Sequence, residues 1–321
     1  MNFNKNIVLQ RPAVVSLCLV LILTFSLADN VLSLPGMYSL AANPGKEDRQ
    51  SSKNFLWKIE SLNNTVYLFG SLHLAKADFY PLDSAIEEAF KSSEVLVVEV
   101  DTSDIPPQVL QRKFMEKGFY PPGETIKDNI SSETFNLLQE KLNELGMNSR
   151  KAMVYKPWLL AMTLVTIEII KLGFSPEAGV DFYFLNKARE SGKDIVELES
   201  VDYQVNLFES FTSREGELFL FSTLLDMETI EEQMDSMVSA WKNGKAEVLE
   251  DILLKGIKEY PRLLPVYKKI FYERNQQMAS VIKDFAGKNK DYFVVVGATH
   301  LVGKKGIIEL LKKEGYFLDQ M

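Results

Sequence analysis

Two stretches with one shared pattern decide the fold of this chain: Thr65-Val-Tyr-Leu-Phe-Gly-Ser-Leu-His-Leu74 and Tyr292-Phe-Val-Val-Val-Gly-Ala-Thr-His-Leu301. Each is an apolar run followed by Gly-x-x-His-Leu. A run rich in Val, Tyr and Phe predicts a buried strand, and the glycine behind it lets the backbone turn tightly. His73 and His300, the only two histidines among 321 residues, are therefore expected just beyond two strand ends. Ligands of open α/β sheets bind outside such carboxyl ends, so both imidazoles could reach one point.

The same order of elements is predicted at both ends of the chain: strand, Gly-x-x-His, helix, strand. We therefore expect an α/β fold of mixed α+β character, with a central sheet built from two related units of this kind. The predicted elements are a hairpin of 55–60 and 65–69, a helix over 81–90 and a strand over 95–100, then a strand over 292–296, a helix over 306–314 capped by Gly315 and a short strand over 316–318.

The chain between these two units is mostly helical by its apolar periodicity. Helices are predicted over 132–145, 157–172 and 181–190, a short strand over 194–198, and four or so helices from 203 to 286, the last over about 265–285. The expected organisation is one domain over residues 54–321, with a helical insertion over about 103–290. Residues 29–53 mix Pro, Gly, Asn, Ser and charge without periodicity, which predicts a flexible leader.

Residues 1–28 have the form of a secretory signal peptide. Lys5 and Arg11 are their only charges, the stretch 13–27 is apolar, and Ser26-Leu27-Ala28 is a small-x-small cleavage site. Export to a periplasmic, secreted or cell-surface location is therefore expected. The alternative is an uncleaved N-terminal anchor, which would be the protein's one contact with a membrane.

The composition of the chain excludes several classes of function. The only cysteine, Cys18, lies inside the predicted signal, so the mature chain would form no disulfide. Without residues 1–28, 34 basic residues face 44 acidic ones, a formal net charge of −10. Such an acidic chain disfavours a nucleic-acid partner.

A carboxylate accompanies the two histidines. Glu99 lies at the carboxyl end of the apolar run 95–100, where a charge is costly to bury unless it is paired or bound to a cation. Asp101, two residues on, is expected on the same side. Two imidazoles and one carboxylate suit Mn, Co, Zn or Fe(II) and leave positions open for water, whose pKa the metal lowers. This set predicts hydrolysis of an amide or ester, while the alternative is two histidines that serve the structure alone.

Taken together, the motifs resemble the TraB/GumN family over about residues 54–320. The matching stretches are Phe55-Leu-Trp-Lys-Ile-Glu60, Gly70-Ser-Leu-His73, Asp78-Phe-Tyr-Pro-Leu82, Val98-Glu-Val-Asp101, Lys156-Pro-Trp158, Gly179-Val-Asp181, Glu197-Leu-Glu199, Glu273-Arg-Asn275 and Gly297-Ala-Thr-His300-Leu-Val-Gly303.

The resemblance implies kinship with the TIKI proteins, metal-dependent peptidases that use Mn or Co. In that group both Gly-x-x-His motifs and a glutamate are functional, which implies a metal site of His73, His300 and Glu99. The Glu-Arg-Asn motif implies catalytic or substrate-binding roles for Arg274 and Asn275.

Asp181, in the Gly-Val-Asp motif, is expected either to support a metal ligand or to cap its own helix.

Three kinds of function remain open at this point. The first is an exported metal-dependent hydrolase acting on a peptide or protein substrate. The second is a non-catalytic protein that sequesters a peptide or a metal-bearing ligand such as haem at the same histidines. Replacement of Glu99 by Gln should separate these two, because only an enzyme would lose turnover while it keeps its ligand. In the third, the histidines are structural and the helical middle of the chain is an interaction module, which predicts no metal dependence.

Overall fold

A computed structural model describes residues 53–321, which contain one six-stranded mixed sheet in the order β4-β3-β5-β2-β1-β6. The predicted signal peptide and nearly all of the predicted leader lie outside the described residues. The strands are β1 (Leu56–Glu60), β2 (Thr65–Ser71), β3 (Val95–Val98), β4 (Asp194–Glu197), β5 (Tyr292–Gly297) and β6 (Asp319–Gln320).

The two histidine-bearing strands are neighbours at the centre of the sheet. β5 lies between β2 and β3 and runs parallel to both, and its register pairs Gly297 with Ser71. The carboxyl ends of all three strands therefore meet at one edge. The predicted mixed α/β fold is confirmed, and the nearly continuous apolar runs of β3 and β5 are buried on both faces, as parallel strands require.

Helices cover the sheet and form most of the remaining chain. They are α1 (Ser84–Ser92), α2 (Pro107–Gly118), α3 (Ile126–Asn129), α4 (Ser132–Glu144), α5 (Ser149–Ala152), α6 (Pro157–Lys171), α7 (Val180–Ser191), α8 (Val201–Glu209), α9 (Ser213–Asp226), α10 (Ile230–Lys242), α11 (Ala246–Glu259), α12 (Leu264–Tyr267), α13 (Arg274–Phe285), α14 (Ala298–Leu301) and α15 (Ile307–Lys313), with short 3₁₀ turns at 77–79 and 261–263.

An aromatic cluster joins the sheet to the helices on one face. The ring of Phe293 on β5 packs 4.8 Å from Phe184 of α7, 5.6 Å from Phe90 of α1 and 5.8 Å from Phe69 of β2, measured between centroids. All four side chains are buried. Large aromatic rings dominate the energetics of a core, so this cluster fixes α7 against the strands that carry the motifs.

Several predicted elements have shifted bounds. The helix expected from Pro81 begins at Ser84, because Asp83 accepts a hydrogen bond from the backbone N–H of Ala85 and caps it. The last strand is β6 and not 316–318, although Gly315 does end α15 with a φ of 95°. The long helix expected over 265–285 is divided by a π-helical turn, Lys268–Glu273.

The two units of the sheet are related but not equivalent. The first ends in β3, which runs parallel to β5, whereas the second ends in β6, which pairs antiparallel with β1. β4 belongs to the segment predicted as an insertion and extends the sheet beside β3. Among residues 53–321, no helix combines the length and the apolar character needed to cross a membrane.

Candidate active site

Three of the predicted residues meet where β2, β3 and β5 end. Glu99 follows β3 directly, His73 lies two residues beyond β2, and His300 lies on α14 after β5. A Cβ built on Gly297 would stand 3.0 Å from His73 Nε2, 3.3 Å from Glu99 Oε1 and 3.5 Å from His300 Cδ2. These side chains therefore surround one space, and that space exists because residue 297 has no side chain.

The glycines of the two motifs serve close approach rather than a special backbone conformation. Neither Gly70 nor Gly297 has a positive φ. A Cβ on Gly70 would lie 2.4 Å from the Phe55 ring and 2.9 Å from the Cα of Ala298. The first motif can therefore have no side chain at the point where the second motif packs on it. Both glycines are therefore needed because a side chain would not fit, and not for the tight turn that the sequence predicted after each strand.

His73 is oriented by Asp181 from α7. Its Nδ1 donates to Asp181 Oδ2 at 2.8 Å, and Ser71 Oγ donates to the other carboxylate oxygen at 2.8 Å. The start of α7 reaches the ring because Gly179 packs on the motif backbone, where a Cβ would stand 2.2 Å from the His73 carbonyl oxygen. Gly179 is also the N-cap residue, so Asp181 supports His73 and does not cap the helix.

The second nitrogen of His73 faces the shared space. Among the described residues, His73 Nε2 is buried and has no hydrogen-bond partner. Burial lowers the pKa of this imidazole, but the charge and hydrogen bond of Asp181 and the charge of Glu99 outweigh burial and raise the pKa to about 9. With Nδ1 bonded to Asp181, Nε2 is the ring nitrogen that faces Gly297, and at this pKa it carries a proton at neutral pH that a bound cation would have to displace.

His300 is wholly buried and held from both sides. Its Nδ1 donates to Asn275 Oδ1, and its Nε2 accepts a hydrogen bond from Arg274 Nη1 at 3.1 Å. Burial and the adjacent positive charge of Arg274 hold the pKa of His300 well below its ordinary value. This imidazole is therefore neutral at physiological pH.

Arg274 is a buried cation whose five N–H groups all have partners. Nε and Nη2 form a fork on Glu199 at 2.7 Å each, and Nη2 also donates to Glu99 Oε2 at 2.7 Å. Nη1 donates to His300 and to the carbonyl oxygen of Ile270. A substrate could contact this guanidinium only in exchange for one of these bonds, so its geometry is that of a residue that positions its neighbours.

Both polar groups of the Asn275 side chain also form hydrogen bonds inside the protein. Its Oδ1 accepts from His300, and its Nδ2 donates to the carbonyl oxygen of Lys305 at 2.8 Å. The π-helical turn that ends at Glu273 precedes Arg274 and Asn275, and such turns are frequent at functional sites. The structure places Asn275 behind His300 rather than toward a ligand.

Glu199 is the second carboxylate bonded to Arg274, and it was not among the site residues predicted from the sequence. It follows β4 by two residues, and its backbone N–H donates to the Glu99 carbonyl oxygen at 2.8 Å. Besides Arg274, its carboxylate accepts from Gln204 Nε2 at 2.8 Å. The signal was a second acidic residue beyond a strand end, in the motif Glu197-Leu-Glu199.

Glu99 accepts from both sides of the cluster. Its Oε1 accepts from the Gly297 N–H at 2.6 Å, and its Oε2 accepts from Arg274. Burial raises the pKa of Glu99, and the nearby carboxylate of Glu199 adds to the rise, while Arg274, His73 and the Gly297 N–H oppose it. The net direction is upward, which suits a carboxylate that accepts a proton.

Asp101 is not brought into this cluster. Its carboxylate pairs with Arg189 Nη2 at 2.8 Å and accepts from the Ser103 N–H at 3.1 Å. β3 ends at Val98, so the two-residue alternation that would place Asp101 beside Glu99 no longer applies.

The charges of the site suit a divalent cation. The cluster contains three carboxylates, of which Glu99 and Glu199 bond the Arg274 guanidinium and Asp181 bonds His73, so its formal charge is −2 with all three ionised and both imidazoles neutral. Both rings have Nδ1 engaged by an outer acceptor and Nε2 turned inward, as metal-binding histidines do. The donor types, the unpartnered His73 Nε2 and the space at Gly297 therefore fit such a cation.

One feature of the same cluster opposes immediate coordination by all three donors. Nη1 of Arg274 already occupies the lone pair of His300 Nε2, so His73 Nε2 and Glu99 Oε1 are the donors that face the space directly. Within residues 53–321, no three His, Cys, Asp or Glu side chains are gathered as a group that could hold a metal ion.

A small cavity adjoins His73 on the side of α10. It is lined by apolar side chains that include Met234 and Met237, and by Thr299 of the second motif. Its volume of about 20 Å³ is enough for one water molecule and too small for a haem. Thr299 was not singled out from the sequence, where it occupies one of the two variable places in Gly-x-x-His.

A model of the TraB/PrgY/gumN family matches residues 55–320, nearly all of the part of the chain that the structure describes. The chain belongs to the TraB/PrgY/gumN family. The match covers both Gly-x-x-His motifs and every residue of the cluster, and it confirms the resemblance that the motifs carried. No solved structure matches the chain.

The curated relatives of this chain include proteins named as metalloproteases and proteins whose names give no activity. An "Uncharacterized protein YbaP" of Escherichia coli (strain K12) is 27% identical over 252 residues, which cover 78% of this chain and 89% of that protein. The "Metalloprotease TIKI homolog" of Nematostella vectensis is 22% identical, with 84% and 68% covered. Human "Metalloprotease TIKI1" is 21% identical, with 86% and 63% covered. The family therefore includes proteins named as metalloproteases.

Proposed function

We propose that this protein is an exported metal-dependent hydrolase, most specifically a peptidase, whose site is formed by His73, His300 and Glu99. The observation that carries the proposal is the convergence of these three side chains on the space at Gly297, with His73 Nε2 buried and unpartnered. The metalloprotease names of distant relatives support a peptide or protein substrate. Mn or Co is the favoured cation by family resemblance, and Zn or Fe would suit the same donors.

The metal would be held by His73 Nε2 and Glu99 Oε1, with His300 Nε2 as the third donor once Arg274 Nη1 releases it. When bound, a divalent cation supplies Lewis acidity, which lowers the pKa of a water molecule and polarises a carbonyl group. Asp181 and Asn275 keep the Nδ1 protons in place, so that each ring offers Nε2.

If the two imidazoles hold the cation without Glu99, its carboxylate is instead the group placed to accept a proton from the attacking water. Its pKa is raised by burial, and its Oε1, like His73 Nε2, borders the space at Gly297. Arg274 holds this carboxylate through Oε2 and leaves Oε1 turned toward the site. We therefore assign Arg274 to positioning Glu99 and Asn275 to positioning His300, in place of the direct substrate contacts expected from the sequence.

The first test is metal binding by the purified protein, measured by calorimetry with Mn, Co and Zn. His73→Ala and His300→Ala should each abolish the same tight site. Thr163→Ala is the control, because Thr163 is buried in α6 and its hydroxyl donates only to the Leu159 carbonyl oxygen. Unchanged affinity in both histidine variants would overturn the proposal.

Hydrolysis is tested separately with a peptide library and Glu99→Gln. Loss of a general base costs about 10²- to 10⁴-fold in rate, so cleavage should fall by this factor while peptide binding is retained. A protein that only sequesters its ligand would show no cleavage to lose. The cavity beside His73 is too small for haem, so haem is not supported as that ligand.

Export and domain organisation belong to the same proposal. We propose that residues 1–28 are a cleaved signal, that 29–53 form a leader and that 54–321 form the catalytic domain. N-terminal sequencing of the protein recovered from outside the cytoplasm tests this. A mature N-terminus near Asp29 supports cleavage, whereas an intact Met1 in the membrane fraction supports the anchor.

A further inference from the structure

The cavity beside His73 contains two buried polar atoms without a partner. They are His73 Nε2 and Thr299 Oγ1, and both residues line the cavity. Thr299 is 4% exposed, and leaving a buried hydroxyl unpaired is unfavourable. A hydroxyl kept in this state next to a reactive site is suited to a hydrogen bond with a ligand.

The remaining walls of the cavity are apolar apart from Ser71, whose hydroxyl donates to Asp181. Met234 and Met237 of α10 line it together with Leu72 and Leu74. The methionines are three residues apart on the helix and therefore share one face. α10 is fixed to the end of β2, because Trp241 Nε1 donates to the Gly70 carbonyl oxygen at 2.7 Å. The wall that the methionines form is thus held beside the first motif.

We propose that this cavity is a substrate subsite for an apolar side chain beside the scissile bond. Met234 and Met237 contact the side chain, and Thr299 Oγ1 donates a hydrogen bond to the substrate backbone. The subsite rests on the proposed function, since it names the class of peptide that the hydrolase would take: one with a leucine-like or methionine-like residue at this position.

The size and chemistry of the cavity explain this choice. A volume of about 20 Å³ admits a side chain only if the methionine side chains turn aside. Methionine has three flexible bonds and a polarisable sulfur, so it reshapes around an apolar guest at little cost. A lysine side chain would lose its hydration against these walls, and its charge would find no carboxylate among the lining residues, which is unfavourable.

The subsite can be tested by NMR with methyl-¹³C-labelled methionine, using N-acetyl-leucine methylamide and N-acetyl-lysine methylamide as probes. Met234→Leu and Met237→Leu assign the two methyl signals. We expect the leucine probe to shift both signals saturably and the lysine probe to leave them unchanged at equal concentration. Equal shifts with both probes, or no shift with leucine, would overturn the subsite.

Variants of Thr299 test the hydrogen bond. Thr299→Val should weaken binding of the leucine probe by about threefold to tenfold, the range of one net hydrogen bond, and Thr299→Ser should restore it. Thr163→Val is the matched control, because this buried threonine already donates to Leu159 in α6 and should leave probe binding unchanged. Unaltered binding in Thr299→Val would exclude the assigned role of its hydroxyl.

The peptide library separates this inference from the proposed function. Probe binding at the methionines without cleavage of any peptide supports the subsite and contradicts the hydrolase. Cleavage that is indifferent to the neighbouring side chain supports the hydrolase and contradicts the subsite. In Met234→Ala combined with Met237→Ala, the preference for leucine over alanine should fall through KM with kcat retained.

Discussion

The carboxylate of Asp181 accepts a hydrogen bond from His73 Nδ1 at 2.8 Å, and this contact decides which ring nitrogen faces the site. Because Nδ1 stays bonded to Asp181, Nε2 points at the space beside Gly297, where it can offer a lone pair once its own proton has left. Asn275 does the same for His300 from the opposite side. Two histidines from related motifs are thus oriented by unrelated helices, one through a charge and the other through a neutral amide.

The difference between these two partners predicts a pH-dependent stability. The pKa of His73 is raised to about 9 from an ordinary 6.5, so the folded metal-free protein keeps a proton that the unfolded chain releases. The resulting stabilisation is fully present below pH 6.5 and is lost as the pH rises through about 9. Asp181→Asn should remove this loss, because the carboxylate that raises the pKa is gone.

Urea unfolding across that pH range in a chelator, together with NMR titration of the two imidazole signals, measures this effect. Asp101→Asn is the matched control, since Asp101 pairs with Arg189 and not with a histidine. If the free energy of unfolding falls with pH in Asp181→Asn as steeply as in the wild type, a group other than His73 holds the proton.

Metal binding should compete with the same proton. A coordinated imidazole must be neutral, so an ordinary histidine would lose metal only below about pH 6. Since the pKa of His73 is about 9, affinity for Mn or Co should instead keep rising from pH 6 to about pH 9. Calorimetry in buffers of different ionisation enthalpy should find about one proton released per metal at neutral pH. Affinity that is flat above pH 7 would contradict the assignment of His73 as a ligand.

The sheet edge was predictable from the sequence, whereas the arginine network was not. Apolar runs and Gly-x-x-His are local signals, and parallel strands bring their ends together wherever they pair. The fork of Arg274 on Glu199 depends instead on β4 lying beside β3 and on a π-helical turn inside a helix that looks regular by its periodicity. Neither the pairing of β4 with β3 nor the π-helical turn is visible in the apolar periodicity of the sequence.

The place of Asp101 shows the same limit at shorter range. Alternation along a strand predicts that residues two apart share a face, and this would put Asp101 beside Glu99. β3 ends one residue before Glu99, and beyond that point the Asp101 side chain is held by its ion pair with Arg189. Where a strand stops depends on hydrogen bonds with its neighbours, so the error arose from a boundary and not from the pattern.

The buried position of Arg274 predicts a large effect on stability. Arg274→Met keeps the length of the side chain but leaves Glu99 and Glu199 buried without their cation, so we expect a loss of about 3–5 kcal/mol in the free energy of unfolding. Arg214→Met should cost about 0–1 kcal/mol, because the Arg214 side chain is 57% exposed and Glu217 keeps its hydrogen bonds to Ser131 and Thr134. Urea denaturation measures both, and similar losses would contradict a buried network.

The space at Gly297 gives the sharpest test of the shared site. A Cβ there would meet His73 Nε2 at 3.0 Å and Glu99 Oε1 at 3.3 Å, so Gly297→Ala should fill the place of a metal or water while the fold is retained. Because displacement of reacting groups by about 1 Å can cost 10²-fold, we expect about a 100-fold loss of hydrolysis and a matching loss of metal affinity. Gly287→Ala is the control, since its Cβ would meet only the Asp284 carbonyl oxygen at 3.7 Å. Unchanged metal affinity in Gly297→Ala, with His73→Ala inactive, would place the ion on the other side of His73.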